Sequence, residues 1–297
     1  MKKRTTFIVS FLAPAVLLYG LFVVVPLLQA FYFSMFAWRG VSSNMKFVGA
    51  ANLTKVVGDP LLKTAGINQF LLLSCGGALL ILLSVSIAHA LLQPSRLGKI
   101  IQSVLLFPHV ISTVVVALIW YFMWNPSFGL ITKTGNLLGL PLPTSGVLGT
   151  YGWANMAILI AFVWQALGFY VILFGAGIKS IDGEIIEASA LDGADGMARF
   201  RLITWPLLWS VKRVAVMYVV SNVMAMFVLV KLMTNMNPDG ATHVFLTWMH
   251  QKGWEHSKMG EASAIAVVSF IVSIVLGSLV WRIVGRDPQL PSKKVRA

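Results

Sequence analysis

Six long apolar runs constrain the fold of this chain more than any other feature of its sequence. A bilayer crossing needs roughly 20 apolar residues. Inside lipid every backbone N–H and C=O must also be paired within its own segment, so such runs form helices. We therefore predict an all-α fold, a polytopic membrane protein in which residues 1–297 form a single transmembrane domain. The six predicted transmembrane helices are about residues 7–36, 67–92, 102–124, 153–178, 207–230 and 262–281.

The composition excludes an ordinary soluble enzyme. Apolar residues make up 58% of the 297 positions and charged residues only 11%, whereas a soluble domain carries about 25% charged residues. The net charge of +13 would indicate a nucleic-acid partner in a soluble protein. Here the basic residues lie mostly between the apolar runs, where they orient a membrane protein. We therefore expect contact with membrane lipid and no nucleic-acid partner.

The distribution of Lys and Arg predicts the orientation of the spans. With six spans, both termini lie on the same side of the membrane. The segments on that side hold 15 Lys and Arg in 66 residues, and those on the other side hold 8 in 89 residues. Lys and Arg accumulate in the cytoplasmic segments of membrane proteins. We therefore predict a multi-pass protein whose termini and segments 93–101 and 179–213 are cytoplasmic.

The cytoplasmic segment 179–206 contains five of the ten acidic residues within 14 positions. Asp182 is a good helix N-cap, and Asp192-Gly193 is typical of a helix C-terminus. Asp195 can cap a second short helix, which Pro206 would end. The pattern predicts a helical hairpin with exposed apolar residues. These residues either pack against the protein's own helix ends or fit a groove on a partner protein.

One stretch of this hairpin, Glu187-Ala188-Ser189-Ala190-Leu191-Asp192-Gly193-Ala194, closely resembles the EAA loop. That loop is the signature of permease subunits in binding-protein-dependent ABC importers. Phe107-Pro108 and the segment Asn125 to Leu130 resemble the third span and following outer loop of the maltose-type sugar permeases. The similarity extends from about residue 7 to 285. The sequence departs from the family pattern where Ser189 replaces Ala, Asp182 replaces Pro, and Met236-Asn237-Pro238 replaces Gly-Gly-Pro.

The resemblance implies the type I permease fold of ABC importers and a place in the cytoplasmic (inner) membrane of a bacterium or archaeon. It implies a second permease subunit, two ATPase subunits, an extracytoplasmic solute-binding protein and a sugar substrate as partners. ATP and Mg²⁺ would bind to the ATPase subunits, and this chain would carry no cofactor, catalytic site or metal site. The outer segments Asn125 to Leu130 and Pro238 to Lys258 would receive the binding protein. The residues implied in coupling to the ATPase are Glu187, Ala188, Ser189, Asp192, Gly193, Ala194 and Phe200.

Polar residues within the predicted spans are candidates for sugar recognition, because such residues are costly in lipid and tend to line cavities. Gln165 and Phe169 are four residues apart, as are Tyr218 and Asn222, so each pair can share a helix face. Hydrogen bonding between helices and aromatic packing are the alternative roles for any of these residues. The predicted substrate-binding residues are Trp164, Gln165, Phe169, Tyr170, Tyr218, Asn222 and Met226.

Other functions of a polytopic membrane protein are less compatible with the sequence. The same importer class carries glycerol-3-phosphate, polyols and other small solutes, but spans two to four lack Lys and Arg in their middles, which favours a neutral ligand. An intramembrane enzyme or a self-sufficient secondary transporter would need carboxylates in the membrane, and no Asp or Glu lies within a predicted span. Gly98-Lys99 does not indicate a nucleotide-binding phosphate loop, because the glycine that precedes this pair in that motif is missing. The spacing of His243, His250 and His256 does not match a compact metal motif.

Overall fold

The computed structural model describes residues 2–41, 44–92 and 95–284. Within these ranges the chain is mostly helical, with two short antiparallel strands, β1 (Phe36–Ala37) and β2 (Lys46–Phe47). Residues 285–297, on which part of the orientation prediction rests, lie outside the described residues. The helices are α1 (Lys2–Tyr19), α2 (Val25–Ser34), α3 (Ala51–Val57), α4 (Pro60–Leu71), α5 (Gly77–Ala90), α6 (Arg96–Val110), α7 (Thr113–Met123), α8 (Leu130–Leu137), α9 (Trp153–Lys179), α10 (Gly183–Leu191), α11 (Gly196–Arg199), α12 (Trp205–Leu207), α13 (Trp209–Met224), α14 (Val228–Thr234), α15 (Phe245–His250) and α16 (Met259–Val284).

Four of the predicted spans are rods that are long and apolar enough to cross a membrane: Phe7–Ser34, Pro60–Ala90, Trp153–Lys179 and Met259–Val284. Five-residue π-helical turns join α1 to α2 and α4 to α5 within the first two rods. The third and fifth spans differ, since each is a pair of helices with a sharp bend. α6 and α7 meet at 100°, and the helical segment that ends with α12 meets α13 at 71°. The described residues therefore hold six candidate spans when each bent pair counts as one.

Proline and short polar residues explain the bend in the third span. Pro108 lies in the last turn of α6, where it has no N–H to bond to the preceding turn, and the helix ends two residues later. Ile111 adopts extended backbone, and Ser112 is the N-cap residue of α7. The prediction of an uninterrupted helix over 102–124 is therefore wrong.

The fifth predicted span, 207–230, is interrupted twice. The helical segment that contains Pro206 ends at Leu207, one residue after the predicted end, and the bend follows at Leu208. α13 then ends at Met224, and Phe227 has a φ of −137° before α14 begins. The prediction of a continuous helix over this range is therefore wrong, whereas the helix end predicted at Pro206 is confirmed to within one residue.

The chain divides into two compact units, and the larger one comprises residues 64–244 with those after 271. Its core is built around α9, which has buried residues on all its faces, as a helix enclosed by others must have. The rings of Tyr170 and Phe174 on this helix are fully buried. Gly168 of α9 lies directly against the backbone of Leu105 in α6, an approach that only a residue without a side chain permits.

The smaller unit comprises the residues up to Lys63 and residues 245–271. α1 and α2 expose most of their apolar side chains, and Phe11, for example, is 76% exposed. Such a surface suits contact with lipid or with another subunit. Where α2 ends, the Asn52 side-chain amide donates to the carbonyls of Ser34 and Phe36, at 2.9 Å each. It thereby satisfies acceptors that a helix C-terminus leaves open.

Candidate functional site

The breaks in the third and fifth spans line one cavity of about 400 Å³. Residues 111–113 of the first break and 225–229 of the second form part of its wall, and Phe162, Gln165 and Ala166 of α9 complete another part. Non-helical backbone at membrane depth is tolerated where it lines a cavity. Discontinuous helices also form the substrate sites of many transporters. The two breaks therefore place irregular backbone where a polar ligand can bind.

The described residues that line this cavity include no Lys, Arg, Asp or Glu. The polar side chains are His109, Ser112, Thr113, Gln165 and Asn222. The Gln165 Nε2 donates to the Thr113 Oγ1 at 3.1 Å, and an amide has further donor and acceptor capacity. Phe162 and Phe227 add aromatic rings to the wall. Amide, hydroxyl and aromatic groups without formal charge are suited to a neutral ligand rich in hydroxyl groups.

Three of the seven predicted substrate-binding residues line the cavity: Gln165, Asn222 and Met226. Phe169 and Tyr218 do not line it, but they are connected to its wall through ring contacts. The Phe169 ring stacks on His109 with centroids 5.1 Å apart, and Tyr218 packs edge-on against Phe169 at 5.5 Å.

Trp164 and Tyr170 also lie outside the cavity lining. The Tyr170 ring is buried edge-on against Phe169 at 5.3 Å. Its hydroxyl lies near the Asn222 side chain without a hydrogen bond of ordinary geometry. Trp164 packs edge-on against Trp120 at 5.7 Å. In this structure both side chains make aromatic packing contacts and neither lines the cavity.

Several residues that line the cavity were not predicted from the sequence, because the prediction considered only polar residues within intact helices. Pro108 followed by Ser112-Thr113 was the available signal, because proline and small hydroxyl residues mark helix ends. A predicted break there would have directed attention to its flanks. The lining residues not predicted include His109, Ser112, Thr113, Phe162 and Phe227.

A second feature is the helical hairpin formed by α10 and α11, as the acidic segment predicted. Asp182 is the N-cap residue of α10, and its carboxylate accepts a hydrogen bond from the Glu184 backbone N–H at 3.1 Å. This predicted cap is confirmed. Asp195 occupies the predicted N-cap position of α11, but its side chain makes no capping hydrogen bond.

The turn after α10 is a Schellman motif. The Gly193 N–H donates to the Ala190 carbonyl at 3.1 Å, and the Ala194 N–H donates to the Ser189 carbonyl at 2.9 Å. Gly193 has a φ of +78°, a left-handed conformation that glycine adopts without the usual steric penalty. A Cβ at this position would meet nothing within 4 Å. Gly193 is therefore required for its backbone conformation and not for lack of space.

The residues implied in coupling divide into an exposed and a packed group. Glu187, Ala188, Asp192 and Gly193 are exposed, whereas Ser189 is buried and its hydroxyl donates to the Ile186 carbonyl at 2.7 Å. Ala194 and Phe200 are partly buried. The Phe200 ring packs against His89 and Trp205, with centroids 5.0 and 6.3 Å apart. Large apolar side chains also protrude here, and Leu191 is 91% and Met197 75% exposed.

The smaller unit contains a mostly buried ion network that was not predicted from the sequence. The Lys252 Nζ lies 3.0 Å from the Asp59 Oδ2 and 3.3 Å from the Glu261 Oε2. The Lys55 Nζ lies 2.6 Å from the Glu261 Oε1. Lys252 also lies 4.5 Å from the centroid of the Trp248 ring. The network connects α3, the start of α4, the turn after α15 and the start of α16.

Comparison with known proteins gives consistent matches. The family model described as "Binding-protein-dependent transport system inner membrane component" matches residues 80–288. The diacetylchitobiose uptake system permease protein NgcF of Streptomyces coelicolor is 32% identical, over 94% of this chain and 82% of that protein. The trehalose/maltose transport system permease protein MalF of Thermococcus litoralis is 28% identical, over 89% and 88% of the two chains. A chain of a bacterial alginate ABC transporter, crystallised with its alginate pentasaccharide-bound periplasmic protein, superposes with a TM-score of 0.81 at 18% identity, with 98% of each chain covered.

Proposed function

Because this chain belongs to the family of binding-protein-dependent transport system inner membrane components, we propose that it is one of two membrane-spanning subunits of an ATP-driven sugar importer. It is a non-catalytic transport subunit with the type I permease fold. The sugar would pass through the cavity between the broken third and fifth spans. ATP and Mg²⁺ would bind to separate ATPase subunits.

The observation that carries the sugar assignment is the cavity of about 400 Å³, whose described lining is polar and aromatic and contains no Lys, Arg, Asp or Glu. A phosphorylated solute such as glycerol-3-phosphate would be recognised by Lys or Arg. The described lining residues include neither. Gln165 and Asn222 would hydrogen-bond sugar hydroxyls, and Met226 and the phenylalanine rings would pack against the apolar faces of the sugar. Two of the relatives carry the names of sugars, diacetylchitobiose and trehalose or maltose.

The hairpin of α10 and α11 would couple this subunit to an ATPase. Its exposed Leu191 and Met197 would enter a groove on the ATPase, since exposed apolar side chains on a short helix are the usual anchors of such docking. Glu187 would meet a basic residue there. Both ends of α10 are closed by hydrogen bonds of its own, so the hairpin is preformed and loses little entropy on docking.

The orientation and the remaining partners are part of the same proposal. The hairpin and both termini would be cytoplasmic, in the cytoplasmic membrane of a bacterium or archaeon. A binding protein would deliver the sugar to the opposite side, at Asn125 to Leu130 and Pro238 to Lys258. In the first of these segments the Asn125 side chain accepts hydrogen bonds from the N–H groups of Ser127 and Phe128, at 2.9 and 3.3 Å. This turn would hold the segment in a defined shape.

Uptake by the reconstituted importer tests this proposal. The chain, its companion permease, the ATPase and the binding protein are placed in proteoliposomes, and uptake of diacetylchitobiose, maltose, trehalose and glycerol-3-phosphate is measured at saturating binding protein. We expect uptake of a neutral sugar. Replacing Gln165 and Asn222 together by Ala removes two hydrogen-bonding groups, each worth about 0.5–1.5 kcal/mol. Together these contributions predict that the maximal uptake rate falls about 5- to 150-fold.

Gln102→Ala is the matched control, because Gln102 lies on α6 but does not line the cavity. Its uptake rate should stay near that of the unaltered protein. A preference for glycerol-3-phosphate over every neutral sugar would contradict the substrate class. Unchanged sugar uptake by the double variant would exclude the cavity as the transport site.

A further inference from the structure

A cluster of tryptophans and basic residues surrounds the bend between α12 and α13. The Lys212 Nζ lies 4.3 Å from the centroid of the Trp205 ring and donates to the Trp205 carbonyl at 2.7 Å. The guanidinium group of Arg213 lies 3.9 Å from the centroid of Trp281 and 5.5 Å from that of Trp209. Tryptophan indoles concentrate at the boundary between lipid tails and headgroups. The cluster therefore has the composition of a membrane interface.

Lys212 is a partly buried cation that the described residues do not neutralise. It makes no ion pair with a carboxylate in the described ranges, and its one hydrogen bond there goes to a carbonyl. An ammonium group has three N–H donors, so its capacity to bind an anion is not exhausted. A cation at the edge of a membrane span is costly unless it reaches the interface or an anionic partner.

A cavity of about 420 Å³ lies beside Lys212. Its wall combines the indoles of Trp205 and Trp209 with aliphatic side chains from other helices, among them Ile81, Val216 and Ile283. One end of this site is thus cationic and aromatic, and the rest is apolar. A ligand that matches it carries a negative headgroup beside hydrocarbon chains.

We propose that Lys212, beside the indoles of Trp205 and Trp209 in the wall of this cavity, binds the phosphate of an anionic phospholipid whose acyl chain lies along the apolar wall, and that Arg213, held over Trp209, adds positive potential next to it. Basic pockets between membrane helices recognise such headgroups. The hydrogen bond from Lys212 to the Trp205 carbonyl supports the bend at the same time and leaves two N–H donors of the ammonium for the phosphate. The site is separate from the sugar cavity, because the two share no lining residue.

Native mass spectrometry of the full-length protein tests the site. The protein is equilibrated in mixed micelles containing equal amounts of phosphatidylglycerol and phosphatidylcholine, and the retained lipids are counted. We expect preferential retention of phosphatidylglycerol. Lys212→Gln combined with Arg213→Gln should weaken this retention roughly 30-fold, because each of the two cations contributes about fivefold near a membrane surface. Millimolar glycerol phosphate should not displace the lipid, since it lacks the acyl chains.

Lys179→Gln is the matched control, since Lys179 is exposed at the end of α9 and does not line this cavity. It should leave the retention unchanged. Equal retention of the two lipids by the unaltered protein would overturn the proposal, and this measurement does not depend on whether the double variant folds. Displacement by glycerol phosphate would show a phosphate site instead of a lipid site. An equal loss of phosphatidylglycerol retention in the Lys179 variant would show that nonspecific surface charge holds the lipid.

Discussion

The contact between α6 and α9 at Gly168 determines the shape of the proposed sugar cavity. A Cβ on Gly168 would overlap the Leu105 carbonyl and lie 2.5 Å from the Leu106 Cα, whereas carbon atoms in contact are about 3.5–4.0 Å apart. Gly168→Ala therefore requires the two helices to separate by about 1 Å. The hydrogen bond from Gln165 to Thr113, now 3.1 Å long, would be strained or broken by this shift.

The expected cost of Gly168→Ala follows from two opposing contributions. Alanine favours a helix over glycine by about 1 kcal/mol, and overpacking a tight contact costs about 1–3 kcal/mol or more. The cost of overpacking should exceed the gain in helix propensity, because the atoms that the new Cβ would meet belong to the backbone and cannot rotate away. We expect a net loss of up to about 2 kcal/mol in stability. We also expect at least a tenfold loss of sugar uptake, since Gln165 and His109 flank the contact on α9 and α6.

Gly175→Ala on the same helix is the control with the opposite expected sign. A Cβ there would meet nothing within 4 Å, so the variant should gain up to about 1 kcal/mol from helix propensity alone. Thermal unfolding of the detergent-purified subunit and uptake in proteoliposomes measure both variants. The reasoning would be refuted if Gly168→Ala unfolded at the same temperature as Gly175→Ala and transported sugar equally well.

Two further predictions concern the hairpin and the ion network. Gly193→Leu should lower sugar uptake with membrane insertion intact, because the left-handed backbone costs a side-chain-bearing residue about 1–2 kcal/mol. Gly183→Leu, at a position without a positive φ, should have a smaller effect on uptake. Equal uptake by both variants would remove the coupling role of the turn. Lys252→Met should lower the free energy of unfolding by about 1–3 kcal/mol, because it leaves the mostly buried Asp59 carboxylate without its cation and Glu261 with only the exposed Lys55. Lys55→Met should cost less than about 1 kcal/mol, since the Lys55 side chain is 60% exposed; equal costs for the two lysine variants, measured by thermal unfolding, would contradict the network.

Features that depend on neighbouring residues along the chain could be predicted from the sequence. Four of the six spans are continuous rods as expected, because an apolar run in lipid has no alternative to a helix. The Asp182 cap and the turn at Gly193 are equally local. The permease family was also recognisable, since its signature lies within the single hairpin from Glu187 to Ala194.

Contacts between residues far apart in sequence required the tertiary structure. Pro108 permits a bend but does not set its angle of 100°, which depends on how α6 and α7 pack against α9. Gln165 and Asn222 therefore line the cavity and Trp164 does not, although all three are equally plausible ligand-binding residues by residue type. Glu261 lies 206 positions from Lys55, and no helical period connects them. Local sequence determines where a helix can form, whereas the approach of distant helices determines which side chains share a site.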